Sequence, residues 1–230
     1  MPTTSGTYAY FPSTAELGIT AFGRCGVRRG EILASHMQDL KNAANLLMVE
    51  FSNLQPNLWT VDLTSEVLVA SQAAYDVDPN VVMILDMYIS TGDAGSENDR
   101  YIYPVSRTEY ASYPNKSKEG FPSVYWFDRT ISPTFTLWAV PDDSQTYTAR
   151  YYACRQTQDT NITGGQSAEV PYRFLEAFTS GLSWKLSEIY APEKEDKLFA
   201  RYQRAWGIAA TQDVENVAMA IAPGLDSYFR

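Results

Sequence analysis

Histidine is nearly absent from this sequence and cysteine hardly commoner: His36 stands alone, and Cys25 and Cys154 are the two thiols. Serine and cysteine nucleophiles usually need a histidine base. His36 lies near neither thiol along the chain, and no nucleophile-elbow pattern surrounds a serine. Two cysteines this far apart, in segments of different expected structure and without an export signal, point to reduced thiols. A metal site is not expected, and His36 reads as a surface or end-of-helix residue without chemistry. Long apolar runs are missing as well. No segment approaches the roughly 18 continuous apolar residues of a spanning helix. The polar and aromatic stretch 1–12 lacks the basic start and apolar run of a secretory signal. A soluble protein without membrane contact is expected.

Basic charge is scarce in one region. The chain carries a formal charge of −9, and residues 59–169 hold 15 acidic against 7 basic side chains, a net of −8. Strong nucleic-acid binding wants the opposite sign. The acidic middle reads either as a solvated β surface or as a wall past which DNA slides without sticking.

What is present is enough for a substantial core: 230 residues, 45% hydrophobic. Residues 1–58 read as helices. Ser13 with Glu16 has capping-box spacing, a short helix follows to Gly23 and Gly26, and Ser35 with Gln38 repeats that spacing. Leu40, Ala43, Ala44, Leu47 and Phe51 then recur at three and four residues, closing near Gln55-Pro56. From Leu58 the pattern turns to short runs rich in valine, threonine and aromatics between turn signals. Strands are expected over 66–70, 81–90, 123–128, 134–140 and 146–153, with a loop over 91–100 and a helical turn over 107–113. Phe135, Leu137 and Ala139 alternate with Thr136 and Trp138.

After a polar linker over 157–168, Pro171 opens the returning helices. Phe174, Phe178, Leu182, Leu186 and Ile189 share one face, and a break falls at Ala191-Pro192. Leu198, Tyr202, Ala205 and Ala209 make the next face. Val214, Val217, Ala218 and Ile221 suggest a third, weaker helix before a free tail over 226–230. The expected fold class is α+β: a helical bundle built from the N-terminal (1–58) and C-terminal (169–230) segments packing as one domain, with an antiparallel β module (59–168) inserted.

The candidates for chemistry each have a structural explanation. Gly18, Gly23, Gly26 and Gly30 form neither a dinucleotide fingerprint nor a phosphate loop, and read as breaks between helices. Asp142-Asp143 follows Pro141 in a turn, where aspartate bonds its own backbone. Glu193, Glu195 and Asp196 follow Pro192, where acids favour a helix start. Tyr125-Trp126-Phe127 offers flat faces for a sugar or base, but alternation sends Tyr125 and Phe127 one way and Trp126 the other, half to the core. Asn161-Ile162-Thr163 matches a glycosylation acceptor, which without export is a polar loop. No catalytic, cofactor-binding or metal-binding residue is therefore assigned, and no enzyme is expected.

The order of the pieces says more than any one of them. An N-terminal helix pair ends in Leu58-Trp59, and a β region follows. Then come Val105-Ser106-Arg107-Thr108-Glu109-Tyr110-Ala111 and a Lys-x-x-x-Gly-x-Pro-x-x-Tyr element over 116–125, which leads to Phe127-Asp128-Arg129. The Leu137-Trp138-Ala139-Val140-Pro141-Asp142 turn, a strand over 147–152 and Val170-Pro171 complete the series. This series resembles the phage head-to-tail adaptor (connector) family, which includes tail tubular protein A and the packaged-DNA-stabilisation proteins of short-tailed phages. The residues that carry the resemblance are Arg107, Tyr110, Lys116, Gly120, Pro122, Asp128, Trp138 and Pro141.

The resemblance implies a structural virion protein at the neck of the particle, made in the host cytoplasm. Its copies would form a ring, a dodecamer by family precedent, beneath the portal protein. The ring would extend the DNA channel and dock a tail or nozzle protein, with roles in genome packaging, genome ejection and tail assembly. DNA would pass without specific binding. Tyr228, Phe229 and Arg230, apolar anchors and a cation at the chain's end, are the candidates for portal contact. A tail or receptor-binding β module, with Trp126 or Trp138 open in a groove, is the competing expectation.

Overall fold

The computed structural model describes residues 4–54, 58–92 and 95–214. Helix α1 (Thr14–Cys25) starts on the expected box: the Glu16 N–H donates to Ser13 Oγ at 3.3 Å and the Ser13 N–H to Glu16 Oε2 at 2.8 Å. It ends at Gly26, whose φ of 103° only glycine adopts freely. Gly18 and Gly23 lie inside this helix, and so are not the breaks expected of them.

Helix α2 (Ala34–Leu54) begins one residue before the expected Ser35 cap. The Leu33 N–H donates instead to His36 Nδ1 at 3.1 Å. That ring is held edge-on to Phe22 and stacked on Tyr190, with centroids 5.6 and 4.7 Å away. A packed imidazole thus does the work of a capping carboxylate, which residue spacing alone does not reveal.

Helices α4 (Leu175–Tyr190) and α5 (Glu195–Ala210) follow the expected break. They close a bundle whose core joins Leu17, Phe22, Leu40, Leu47 and Phe51 to Phe174, Phe178, Leu182, Leu198 and Tyr202. Ile189, expected on the buried face, is exposed: in the last turn of α4 it is Ser187 and Tyr190 that turn inward, Tyr190 packing on Phe22 and His36. The expected third helix over 214–221 and the tail over 226–230 lie almost wholly outside the described residues.

Among the described residues seven strands form the sheet: β1 (Val61–Val67), β2 (Ala74–Asp76), β3 (Val81–Thr91), β4 (Asn98–Pro104), β5 (Val124–Asp128), β6 (Thr134–Trp138) and β7 (Tyr147–Arg155). Their spatial order is β1-β7-β3-β4-β5-β6-β2, antiparallel except for the parallel β4–β5 pair. A parallel pair needs a crossover, and here it contains the short helix α3 (Arg107–Ser112). The fold is α+β.

The sheet curls over on itself. Phe135 of β6 reaches Tyr151 of β7 with ring centroids 5.7 Å apart, and Phe121 reaches Tyr147 at the same separation. The inner sides close on one core containing Met87, Ile89, Ile102, Tyr125, Phe135, Leu137 and Ala149. Two limbs result, β1-β7-β3-β4 and β5-β6-β2, whose outer faces look away from each other.

A polar junction ties strands to helices. Arg155, ending β7, grips Glu169 through two nitrogens at 2.6 and 3.1 Å and Asp62 of β1 at 2.8 Å. The Trp59 indole donates to the Glu169 carbonyl at 3.1 Å. The wholly buried Asp213 carboxylate accepts from the Leu58 N–H and pairs with Arg173.

Candidate assembly surfaces

The residues of the motif series gather around α3 and the β5-β6-β2 limb. Ser106 caps α3, accepting from the Glu109 N–H at 3.1 Å, and Arg107 opens the helix with its side chain in solvent. Tyr110 lays its ring on Trp126, centroids 5.6 Å apart, and Tyr113 lies on Trp138 at 4.5 Å. Lys116 donates to the carbonyls of Tyr110 and Tyr113 and hangs over the Tyr110 ring. Its ammonium therefore serves carbonyls at the end of α3, that of Tyr110 accepting also from the Tyr113 N–H.

Gly120 has φ 152° and donates its N–H to the Val140 carbonyl at 2.9 Å; Pro122 is buried beside it. Asp128 ends β5 opposite Thr134, while Val124 at the other end of the strand pairs with Trp138. The Trp138 indole donates to the Asn115 carbonyl at 3.3 Å. Pro141 is buried and its carbonyl accepts from the Ser71 N–H at 2.9 Å. Trp126 and Trp138 are thus stacked beneath tyrosines of their own chain, an arrangement that does not present an open sugar platform.

The acidic candidates are engaged locally. Asp142 accepts from the Ser144 N–H, the Ser144 hydroxyl and the Tyr147 hydroxyl, and these bonds hold its carboxyl below the usual range. Glu195 and Asp196 stand in the first turn of α5. Glu169, which the sequence did not single out, is held below the ordinary carboxylate value chiefly by its bonds to Arg155, against the opposing effect of burial. Both cysteines are free and buried. Burial pushes the Cys25 thiol up to about 11, and it donates to the Ser183 carbonyl. Among the described residues no cluster of three potential metal ligands occurs, and no helix is long and apolar enough to cross a membrane.

Among the described residues, three of the surfaces that leave apolar side chains in the open bear on assembly. The first is the outer face of the β1-β7-β3-β4 limb, where Leu63 pairs with Tyr152, and Tyr88 of β3 pairs with both Arg150 and Tyr101; Tyr103, two residues beyond Tyr101, is 65% exposed. The second is the segment before α1, with Tyr8 at 99% exposure and Tyr10 and Phe11 also open. The third is a groove of about 270 Å³ between α2 and residues 156–159, lined by Met48, Val49, Val82 and Gln156 among others.

A helical bundle and a curled sheet that leave several apolar surfaces uncovered suit an assembly component. The sequence matches the family model described as SU10 adaptor protein over residues 31–223, a span covering both bundle and sheet. The chain belongs to that family. It is a phage adaptor-type protein and a component of the virion. No curated protein matches it. Tyr228, Phe229 and Arg230 lie outside the described residues.

Proposed function

We propose that this adaptor is the protomer of a ring of about twelve copies beneath the phage portal. In this reading, which keeps the likeness to tail tubular protein A, the ring extends the DNA channel and offers its far side to a tail or nozzle protein. The match to the adaptor family across both the helical and the β parts carries the reading. The uncovered tyrosines and leucines support it, since such side chains favour interfaces.

The net acidity of residues 59–169 suits a channel wall that repels phosphate, so DNA passes without being read. Residues 228–230 dock on the portal, with Tyr228 and Phe229 as anchors and Arg230 pairing with carboxylates. The test is co-sedimentation of the purified protein with the portal ring of its own phage, followed by mass determination. One adaptor per portal subunit, with binding weakened on deleting residues 228–230, is the expected outcome. Absence of binding to a well-formed portal ring overturns the reading.

A further inference from the structure

The two outer faces of the curled sheet differ in charge as well as direction. On the β1-β7-β3-β4 face, Asp86 accepts from the Tyr101 hydroxyl at 3.2 Å and Asp99 from the Ser90 hydroxyl at 2.5 Å. Glu97 is neutralised by Arg150 at 2.6 Å. Among the described residues neither Asp86 nor Asp99 has a basic partner, and Tyr88, Tyr101, Tyr103 and Tyr152 surround them.

On the α3 face the three cations Arg107, Lys116 and Lys118 outnumber the two acids Glu109 and Glu119. Glu109 accepts from the Tyr113 hydroxyl at 3.4 Å and Glu119 from the Ser71 hydroxyl at 2.6 Å, and Lys116 serves backbone carbonyls. Arg107 is exposed, and Lys118 lies 5.5 Å from the Trp138 ring centroid. Among the described residues neither has an acidic partner. The acids within the strands of this limb, Asp76 and Asp128, flank Thr134 at the end of β6 away from Trp138, roughly 13 Å along the strands.

We propose that adjacent copies of this chain meet through these two faces, the tyrosine and aspartate face of one against the α3 face of the next. The excess of acid among tyrosines then meets the excess of base beside tryptophan, and aromatic side chains are the ones that interface cores favour. Like faces brought together would oppose like charges, which selects the head-to-tail arrangement over a symmetric pair. Because the faces point apart, each copy keeps one of them free, and such contacts end only when a ring closes. The inference rests on the ring reading above and supplies its subunit contact.

The test uses two variants of the full chain, D86K/D99K and R107E/K118E, assembled on the portal ring and followed by the adaptor mass bound per portal. Each alone presents like charges at every contact, and a loss of about tenfold or more is expected. Mixed in equal amounts, the two chains are complementary in alternation, and recovery toward the wild-type mass is expected. Thermal melting of each chain checks that it is folded; if D86K/D99K melts early, D86K alone takes its place in the mixture.

Wild-type-like assembly by either variant alone, or failure of two folded variants to recover when mixed, overturns the face-to-face contact and leaves the ring reading standing. Failure of the wild-type chain itself to assemble on the portal overturns both.

Discussion

Gly18 and Gly181 set how closely the helices approach. A Cβ at Gly18 would fall 2.0 Å from Leu40 Cδ2, and one at Gly181 would fall 2.7 Å from Leu47 Cδ1, so a methyl group at either site pushes α1 or α4 off α2. Gly18→Ala and Gly181→Ala are each expected to destabilise the protein by about 1–3 kcal/mol in urea titrations. Gly207→Ala, in α5 with open space around it, is expected to stabilise it by about 0.5–1 kcal/mol. Equal effects at all three sites would show that helix propensity decides, and not contact. Lys116→Met removes the donor to two carbonyls while keeping an apolar stem, with an expected cost of about 1–2 kcal/mol. The sequence presents all these glycines alike. Only the neighbour across the helix interface separates a contact from a gap, and that neighbour lies more than twenty residues away in the chain.

Among the elements, the helices are the more legible. The three- and four-residue recurrence of Leu40, Ala43, Ala44, Leu47 and Phe51 gives the buried face of α2 directly, and Phe174 to Leu186 does the same for α4. The strands that alternate cleanly are legible too, β6 above all, where Phe135 and Leu137 are buried and Thr136 is not. The expected loop over 91–100 takes in the first three residues of β4, and the sequence assigns no element to the rest of it: Asn98-Asp99-Arg100 disfavours strand on its own, and pairing with Ser90 and Thr91 of β3 holds it extended. β1 was placed several residues late since every residue after Val61 is exposed, so burial imposes no alternation on it. The junction was invisible for a similar reason: Arg155 and Glu169 look like ordinary linker charges until the fold sets them together. Glu169→Gln is expected to cost about 2 kcal/mol at neutral pH. The Glu169 value is lowered on folding, so its contribution is present above the unfolded carboxylate value of 4.5 and is lost as pH falls through the folded one. Melting temperatures of wild type and E169Q should therefore converge in acid; a gap that persists well below that range would place the effect elsewhere.

For the molecule as a whole, the class of fold and the kind of protein were readable from the order of weak motifs, while the direction in which surfaces point was not. That the outer faces of the two limbs point away from each other depends on the curl of the sheet, a property of its strands together. At this scale the resemblance meets its test in assembly: the adaptor should bind its portal ring stoichiometrically, and the two charge-swapped chains should succeed together where each fails alone. The junction has one more effect, on the order of events as the chain folds. The bundle core unites residues near the beginning with residues beyond Val170, so its N- and C-terminal halves can meet only after an intervening loop on the order of a hundred residues has closed. Within the sheet β3–β4 and β5–β6 join strands close in sequence, and their shorter loops cost less to close. When β1 then joins β7, it brings Thr60 against Cys154 at 3.2 Å and draws the loop shut at its base. The strands thus act as the clasp on which docking of the helices waits, and a defect at β1–β7 should slow the appearance of the bundle more than any change within the helices themselves.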